Sequence, residues 1–319
     1  MVTHHTSTMI VFGPVPSRRL GRSLGVNHVP PKTCSYSCVY CQLGRTDNMI
    51  CERRRFYDPE RIVKEVREKV EAVEEDIDYI TFVPDGEPTL DVNLGVMIDA
   101  VKGLGVKTAV IGNASLLWME DVRHDLMNAD WVSVKVDAVT EDAWRRVDRP
   151  HGKLDHGTVL EGMRMFSREY GGTLSTETML VKGFNDGEEP SHVAGFLREL
   201  DPDISYVAIP TRPPAEGQVK PADEEAVNRA YQVFSGVLRD VEYLIGYEGN
   251  AFASTGDLEM DLLSITAVHP MREDGVRALL RRDDSSWEAV ERLIREEKLV
   301  ELDYLNNRFY MRRISSRSR

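Results

Sequence analysis

Three cysteines fall within eight residues: Cys34, Cys38 and Cys41, spaced C-x3-C-x2-C in the stretch that runs from Thr33 to Arg45. Thiolates this close together are soft ligands suited to iron or zinc. A closed zinc site takes four ligands, usually as C-x2-C pairs, and no second pair or neighbouring histidine completes such a set here. A cubane 4Fe-4S cluster fits better. Each of its four irons wants a thiolate, so a loop that supplies three leaves one iron with open coordination positions. Chemistry can take place at that iron. Ser35, Ser37 and Gly44 suit the tight path such a loop follows.

Other residues with chemical potential follow the cysteines in order. Gly86-Glu87-Pro88 closes the run Asp78 to Val83; a glycine there lets the backbone approach a ligand, and its exposed N-H and C=O groups can bind ammonium and carboxylate. Asn113 and Ser115, in Gly112-Asn113-Ala114-Ser115, can hydrogen-bond a ligand's hydroxyls or serve as turn and cap residues. Lys135 and Asp137 alternate to one side of a strand, either as a buried ion pair or as a site for an incoming anion. Glu177 and Met179, on the fifth strand, are weaker candidates for contact with the rest of a ligand, with a plain core role the alternative for Met179. Arg149, His151 and Arg212 suit a carboxylate or phosphate, or else brace proline-rich loops. Cys51 lies among arginines, as a second-site ligand, a radical-accepting thiol or a spare cysteine.

These residues need a scaffold that brings them to one place. A Gly- and Pro-rich loop over residues 10–22 leads to a strand at 23–27 and the cysteine loop. Asp58-Pro59-Glu60 then opens a helix, with Asp as N-cap and Pro at its first position. Strands follow at 78–83, 107–111, 131–136, 174–181 and 205–209, with helices around 94–103, 119–127, 157–169, 191–200 and 222–239. Six β-then-α units predict an α/β fold with a parallel sheet and right-handed crossovers, a partial (βα)6 TIM-type barrel. In such barrels the functional residues sit beyond the C-terminal ends of the strands. The cysteine loop and the G-E-P turn fall there.

The cysteine spacing, with the aromatic Tyr40 just before the third cysteine and the later G-E-P element, resembles the radical S-adenosylmethionine (SAM) superfamily. That resemblance implies the same partial barrel and a reaction in which an electron from the cluster cleaves SAM to a 5′-deoxyadenosyl radical. It also implies roles for the matching residues: Cys34, Cys38 and Cys41 on the cluster, Gly86, Glu87 and Pro88 at the methionine end with Glu87 near the ammonium, and Asn113 and Ser115 on the ribose. Tyr40, Lys135 and Asp137 would complete the cofactor pocket, with Lys135 meeting the methionine carboxylate. Phe12 to Arg19, Met179 to Asp186 and Pro210 to Glu216 are similar to a narrower group related to the wyosine-type tRNA-modifying enzymes. Those carry a second cluster on upstream cysteines, and this chain has none there. The implied partners are a flavodoxin- or ferredoxin-type electron donor and, as substrate, a nucleoside in tRNA or another RNA. A peptide or small metabolite is the rival substrate.

The chain has 319 residues, 41% of them apolar and 29% charged, ordinary values for a globular protein with ample core. Few cysteines, most in one loop, argue against a disulfide framework and for the reducing cytoplasm. The opening Met-Val-Thr-His-His-Thr-Ser-Thr lacks the features of a secretory leader, and no stretch is long and apolar enough for a membrane span. A net charge of −13 disfavours a broad nucleic-acid surface and leaves two local basic patches, Arg18, Arg19 and Arg22, and Arg53 to Arg55.

The pattern changes near residue 250, which divides the chain into a barrel at 1–250 and a small domain at 251–319. Helices at 258–266, 272–280 and 286–297, then a hairpin at 299–312 turning on Asn306-Asn307, resemble a winged helix. Its third helix carries Glu288, Glu291, Glu296 and Glu297, a poor groove reader. That weakens the alternative of an iron-sulfur redox regulator that binds DNA. Arg308, Arg312, Arg313, Arg317 and Arg319 are the basic residues of its wing and tail.

Overall fold

A computed structural model of the chain describes residues 10–73, 75–246, 257–268 and 270–313. The expected domain boundary at 250, Arg317 and Arg319 lie outside these residues. The main sheet has eight strands: β1 (Val11–Ser17), β2 (Gly21–Val26), β5 (Tyr79–Phe82), β6 (Lys107–Gly112), β7 (Trp131–Lys135), β8 (Thr173–Met179), β9 (Ile204–Ala208) and β10 (Val241–Leu244), in that spatial order. The short strands β3 (Thr33–Cys34) and β4 (Asn48–Met49) pair within the cysteine loop. From β2 to β10 all neighbours are parallel, and β1 alone is antiparallel. The result is a curled partial barrel, as expected.

Its helices are α1 (Pro59–Ala72), α2 (Leu94–Lys102), α3 (Glu120–Leu126), α4 (Glu141–Val147), α5 (His156–Glu169), α6 (Glu189–Leu200) and α7 (Glu224–Ser235). Asp58 caps α1 by accepting from the Glu60 N-H, with Pro59 at the first position, where a missing donor costs nothing. Ile62 and Val66 of α1, and Met97, Ile98 and Val101 of α2, are fully buried in the core that also holds Ile80 and Phe82 of β5. Burying each such side chain contributes about 1.5–3 kcal/mol.

Beyond the two-residue strands, three elements of the main sheet and its helices differ from expectation. Residues 11–17 form a strand rather than a loop. Pro14 and Pro16 suggest a loop because they cannot donate to a ladder, but β1 is a sheet edge, where proline is tolerated, and a register shift between Phe12 and Val15 absorbs the irregular segment. Strand β10 and helix α4 are absent from the expected elements, because four and seven residues show too little periodicity.

The C-terminal elements are α8 (Leu258–Val268), β11 (Met271–Arg272), α9 (Glu273–Arg282), α10 (Trp287–Arg295), β12 (Leu299–Tyr304) and β13 (Asn307–Arg312), with sheet order β11-β13-β12. The hairpin turns on Leu305-Asn306, one residue earlier than expected, and both have positive φ. Leu262, Ile265, Val276, Leu279, Val290 and Leu293 make a small core of their own, which Phe12 and Val15 of β1 enter. The edge of the main sheet is thereby covered. Tyr304 of β12 donates to the Pro210 carbonyl at 3.0 Å, tying the hairpin to the loop after β9.

Candidate functional site

The cysteine loop is held from beneath. Ser37 and Val39 donate backbone N-H groups to the Asp148 and Val147 carbonyls at 3.0 and 2.9 Å, and Ile50 N-H donates to the Cys34 carbonyl at 3.1 Å. Tyr36 accepts from Trp144 Nε1 at 3.0 Å through its hydroxyl. Cys34, Cys38 and Cys41 all line one cavity of about 300 Å3, together with Lys32, Tyr40, Asp85, Gly86, Glu87, Asn113, Lys135, Glu177, Met179 and Arg212. Most of the expected site residues therefore meet in one place.

Gly86 touches the cysteine strand directly: a Cβ there would lie 1.9 Å from the Thr33 carbonyl oxygen. Glu87 is buried and serves as a brace. Its Oε2 accepts from the Asn113 N-H at 2.7 Å and its Oε1 from the Thr89 hydroxyl at 2.6 Å. The acid expected near an ammonium thus ties the G-E-P turn to the end of β6. Asn113 donates to Ser35 Oγ at 2.8 Å, approaches Cys34 Sγ at 3.6 Å, and accepts from the Ser115 N-H at 3.0 Å. Ser115 is fully buried, with its hydroxyl 2.6 Å from that of Ser35, and does not line the cavity. Ala114, at φ +62°, turns Ser115 beneath the cysteine loop and away from the cavity, whereas Asn113 both braces that loop and lines the cavity.

His28, fully buried after β2, props the same turn through Nε2 to the Pro88 carbonyl at 3.2 Å. Burial pushes its pKa from 6.5 down to about 4. The folded chain therefore binds fewer protons here than the unfolded one, so stability is fully present above pH 6.5 and is lost as the pH falls toward 4. In urea unfolding, acidification over that range is expected to cost about 3 kcal/mol more in the native sequence than in His28→Gln. Equal slopes for the two would refute the assignment. Asp85, beside the turn, is buried, and burial raises it to about 7. Its Oδ2 accepts from Asn27 at 2.9 Å while Oδ1 has no partner among the described residues.

Lys135 and Asp137 do not pair with each other by hydrogen bond. Lys135 Nζ donates to Glu177 Oε1 at 2.5 Å and lies 4.9 Å from the centre of the Tyr40 ring. Burial opposes its charge, but the Glu177 and Asp137 carboxylates outweigh burial and hold Lys135 above its ordinary value. Glu177 has a second cation, since Arg19 Nη1 donates to its Oε2 at 2.5 Å. Burial is again outweighed, and the carboxyl is held down to about 2. Asp137 lies behind the cavity wall: it accepts from the Tyr40 hydroxyl, and from the Met179 N-H at 2.7 Å. Asp148, raised well above the ordinary range by burial and by Asp137, accepts from Cys38 Sγ at 3.5 Å.

Each basic patch gives up one arginine, while Arg18, Arg54 and Arg55 stay exposed. Arg19 enters the barrel, and Arg53 binds Asp121, Asp125 and the Thr89 and Asp91 carbonyls. Glu216, given no role of its own in the Pro210 to Glu216 stretch, accepts from Arg45 and Arg149 at 2.8 and 2.7 Å, and so fastens the loop after β9 over the cysteine loop. Hydrogen bonds from those arginines and Gln218 hold its carboxyl down to about 2. Arg212 donates to Gln42 Oε1 at 3.0 Å. Cys51 lies outside the cavity, 3.3 Å from His151 Nδ1.

The residues present suit an iron-sulfur cluster. The three thiols are free of disulfides and share one cavity, while among the described residues no three His, Cys, Asp or Glu side chains are arranged to hold a single ion. Thiols that each hold a different iron need no such convergence. Burial pushes the Cys34 thiol up to about 12, and Cys38 and Cys41 up as well. Such thiols become thiolates only beside compensating positive charge, which iron supplies.

Residues 29–194 match the family model of the radical SAM superfamily. The UPF0026 protein MJ1312 of Methanocaldococcus jannaschii is 45% identical over 97% of this chain and 98% of its own length. A UPF0026 protein of Helicobacter pylori is 31% identical over 91% and 94%. Among solved structures, TYW1 with a lysine-pyruvate adduct bound is similar with a TM-score of 0.53, at 15% identity over 68% of this chain and 74% of that one. Streptococcus suis SuiB bound to precursor peptide SuiA gives 0.54, at 14% identity over 72% and 53%. Identities this low show a shared fold alone. The family model and the near-full-length relatives lead to one conclusion: the chain belongs to the radical SAM superfamily, alongside the UPF0026 proteins.

Proposed function

We propose that this radical SAM enzyme acts on a nucleoside within an RNA, with Cys34, Cys38 and Cys41 holding the 4Fe-4S cluster. When bound, the cluster and SAM together supply a 5′-deoxyadenosyl radical that takes a hydrogen atom from the substrate. The carrying observation is the convergence of the three thiols, Gly86, Asn113 and Lys135 on one cavity at the strand ends. In this reading the backbone at Gly86 to Pro88 receives the methionine ammonium, and Lys135 receives its carboxylate. Glu87, Asn113 and Ser115 keep the cysteine loop and the G-E-P turn in register. Tyr40 and Asp137 fix the wall beneath Lys135. A flavodoxin- or ferredoxin-type protein is the proposed electron donor, and the cytoplasm the proposed location.

The C-terminal elements are proposed to be a winged-helix-like domain covering 251–319 that presents substrate at the cavity mouth. Tyr304, bonded to Pro210 on the cavity rim, supports that placement. One observation favours a peptide as second reading. Arg292 and Lys298 pair with Glu259, Arg308 with Glu301 and Asp303, and Arg313 with Glu297, which among the described residues leaves little unbalanced positive charge for phosphate.

The test is 5′-deoxyadenosine formation by anaerobically reconstituted, dithionite-reduced protein with and without bulk RNA. Stimulation by RNA is the expected result. Formation that RNA leaves unchanged and a peptide digest stimulates would replace the nucleoside reading with the peptide one.

A further inference from the structure

Arg18-Arg19 stands out in the sequence, and nothing so far gives Arg19 a function. It lies in the turn between β1 and β2, at the end of the barrel opposite the cysteine loop. From there its side chain runs up the barrel interior. Nη1 reaches Glu177 Oε2 at 2.5 Å and Ser133 Oγ at 3.4 Å, and the guanidinium carbon stands 5.9 Å from the centre of the Tyr206 ring. Nε is buried with no partner among the described residues. A guanidinium placed this way, with one donor unmet, is a poor choice for stability alone.

Its consequence lies at the other face of Glu177. That carboxylate gives one oxygen to Arg19 and the other to Lys135, and both Glu177 and Lys135 line the cavity. An ammonium has three donors. If Oε2 were vacant, Lys135 would settle across both oxygens, drawn toward β8 and with its charge more fully met. With Oε2 occupied, Lys135 meets one oxygen and keeps donors for an incoming anion.

We infer that Arg19 is a positioning residue: by occupying the second oxygen of Glu177 it holds the Lys135 ammonium at the cavity wall, available to the carboxylate of SAM. The inference rests on the proposed contact between Lys135 and that carboxylate, and the experiment separates the two. Dissociation constants are measured on anaerobically reconstituted protein of full iron content, for SAM and for decarboxylated SAM, which lacks only the group in question. Losing one charge-assisted contact weakens binding about tenfold, so Lys135→Gln and Arg19→Gln are each expected to weaken SAM by about that factor. Decarboxylated SAM should change less than about twofold, and the double variant should bind SAM no worse than Lys135→Gln.

A loss for SAM in Lys135→Gln with none in Arg19→Gln would overturn the role of Arg19 and leave that of Lys135 standing. No carboxylate-specific loss in Lys135→Gln would remove the Lys135 contact, and the inference with it. Equal weakening of both ligands by Arg19→Gln would reduce Arg19 to a structural residue. Should Arg19→Gln alone fail to take up iron, the pair Glu177→Gln and Arg19→Gln/Glu177→Gln decides the matter: with the carboxylate neutral, removing Arg19 is expected to cost no further SAM affinity, and an added carboxylate-specific loss would overturn the inference.

Discussion

Cys38→Ala is expected to abolish SAM cleavage, with 5′-deoxyadenosine formation falling by at least about 10³-fold, equivalent to ~4 kcal/mol of lost transition-state stabilisation. Two remaining thiols would leave a second iron of the cubane without its protein ligand, and among the described residues no other side chain is a ready substitute. Cys51, the one remaining cysteine, lies outside the cavity beside His151. Asp148 stands 3.5 Å from the Cys38 sulfur but offers a hard oxygen where iron-sulfur chemistry wants a soft ligand. The backbone path of the loop should survive, because it depends on Ser37 and Val39 donating to Asp148 and Val147, and on Val39 packing against Val147, Val181 and Val219. Iron and sulfide content should therefore collapse while the far-UV circular dichroism of the reconstituted protein stays near that of the parent. Cleavage retained in a protein that binds no iron would refute the assignment of the cluster to these cysteines.

The parts of this site legible from sequence are those whose chemistry is local. The C-x3-C-x2-C loop and the G-E-P turn each carry their meaning within a few residues, and β-rich runs separated by amphipathic helices give the order of the barrel units. Partners distant in sequence were not legible. Arg19 and Glu177 are 158 residues apart, and Arg45 and Glu216 are 171, so nothing near either residue announces the other. Arg53 read as part of a basic patch because its carboxylate partners sit on a helix that folding brings beneath it. Ser115 shows a further limit: residue type gives hydrogen-bonding capacity, but the left-handed Ala114 turns that hydroxyl to Ser35 and away from the cavity that Asn113 still lines. Edge position likewise rescues β1, whose prolines speak for a loop until the sheet gives their missing donors an outward side.

These distant contacts also join the cavity to the rest of the chain. Glu216 ties the loop after β9 to Arg45 on the cysteine loop, and Tyr304 ties that same loop to the C-terminal hairpin. The two bonds act on one segment, so the rim at Pro210 to Arg212 is positioned jointly by the barrel and by the C-terminal elements. A substrate that reaches the cavity past that rim would meet both.

Gly86→Ala carries the other large expected effect, and it follows from a single distance. The added methyl carbon would sit 1.9 Å from the Thr33 carbonyl oxygen and 2.9 Å from the Thr33 carbonyl carbon. Both atoms are backbone, so no side-chain rotation relieves the clash, and Thr33 is itself tied to Gly86 by a bridge and to Asn48 of β4. The turn and the cysteine strand would have to separate by an ångström or more, at an overpacking cost of about 1–3 kcal/mol. The larger consequence is functional. Gly86 is where the proposed methionine site meets the strand that carries Cys34, and a misplacement of about 1 Å between reacting partners can cost on the order of 10²-fold in rate. The variant is therefore expected to retain iron, since the three cysteines remain, yet to form 5′-deoxyadenosine about 10²-fold more slowly. Gly187→Ala, where nothing lies within 4 Å of the new carbon, serves as the control. Parent-like SAM affinity and cleavage in Gly86→Ala would mean that the methionine end binds away from the G-E-P turn. A loss confined to this variant would place cofactor binding and cluster support on the same pair of backbone segments, and would explain why glycine stands where the turn and the cysteine strand touch.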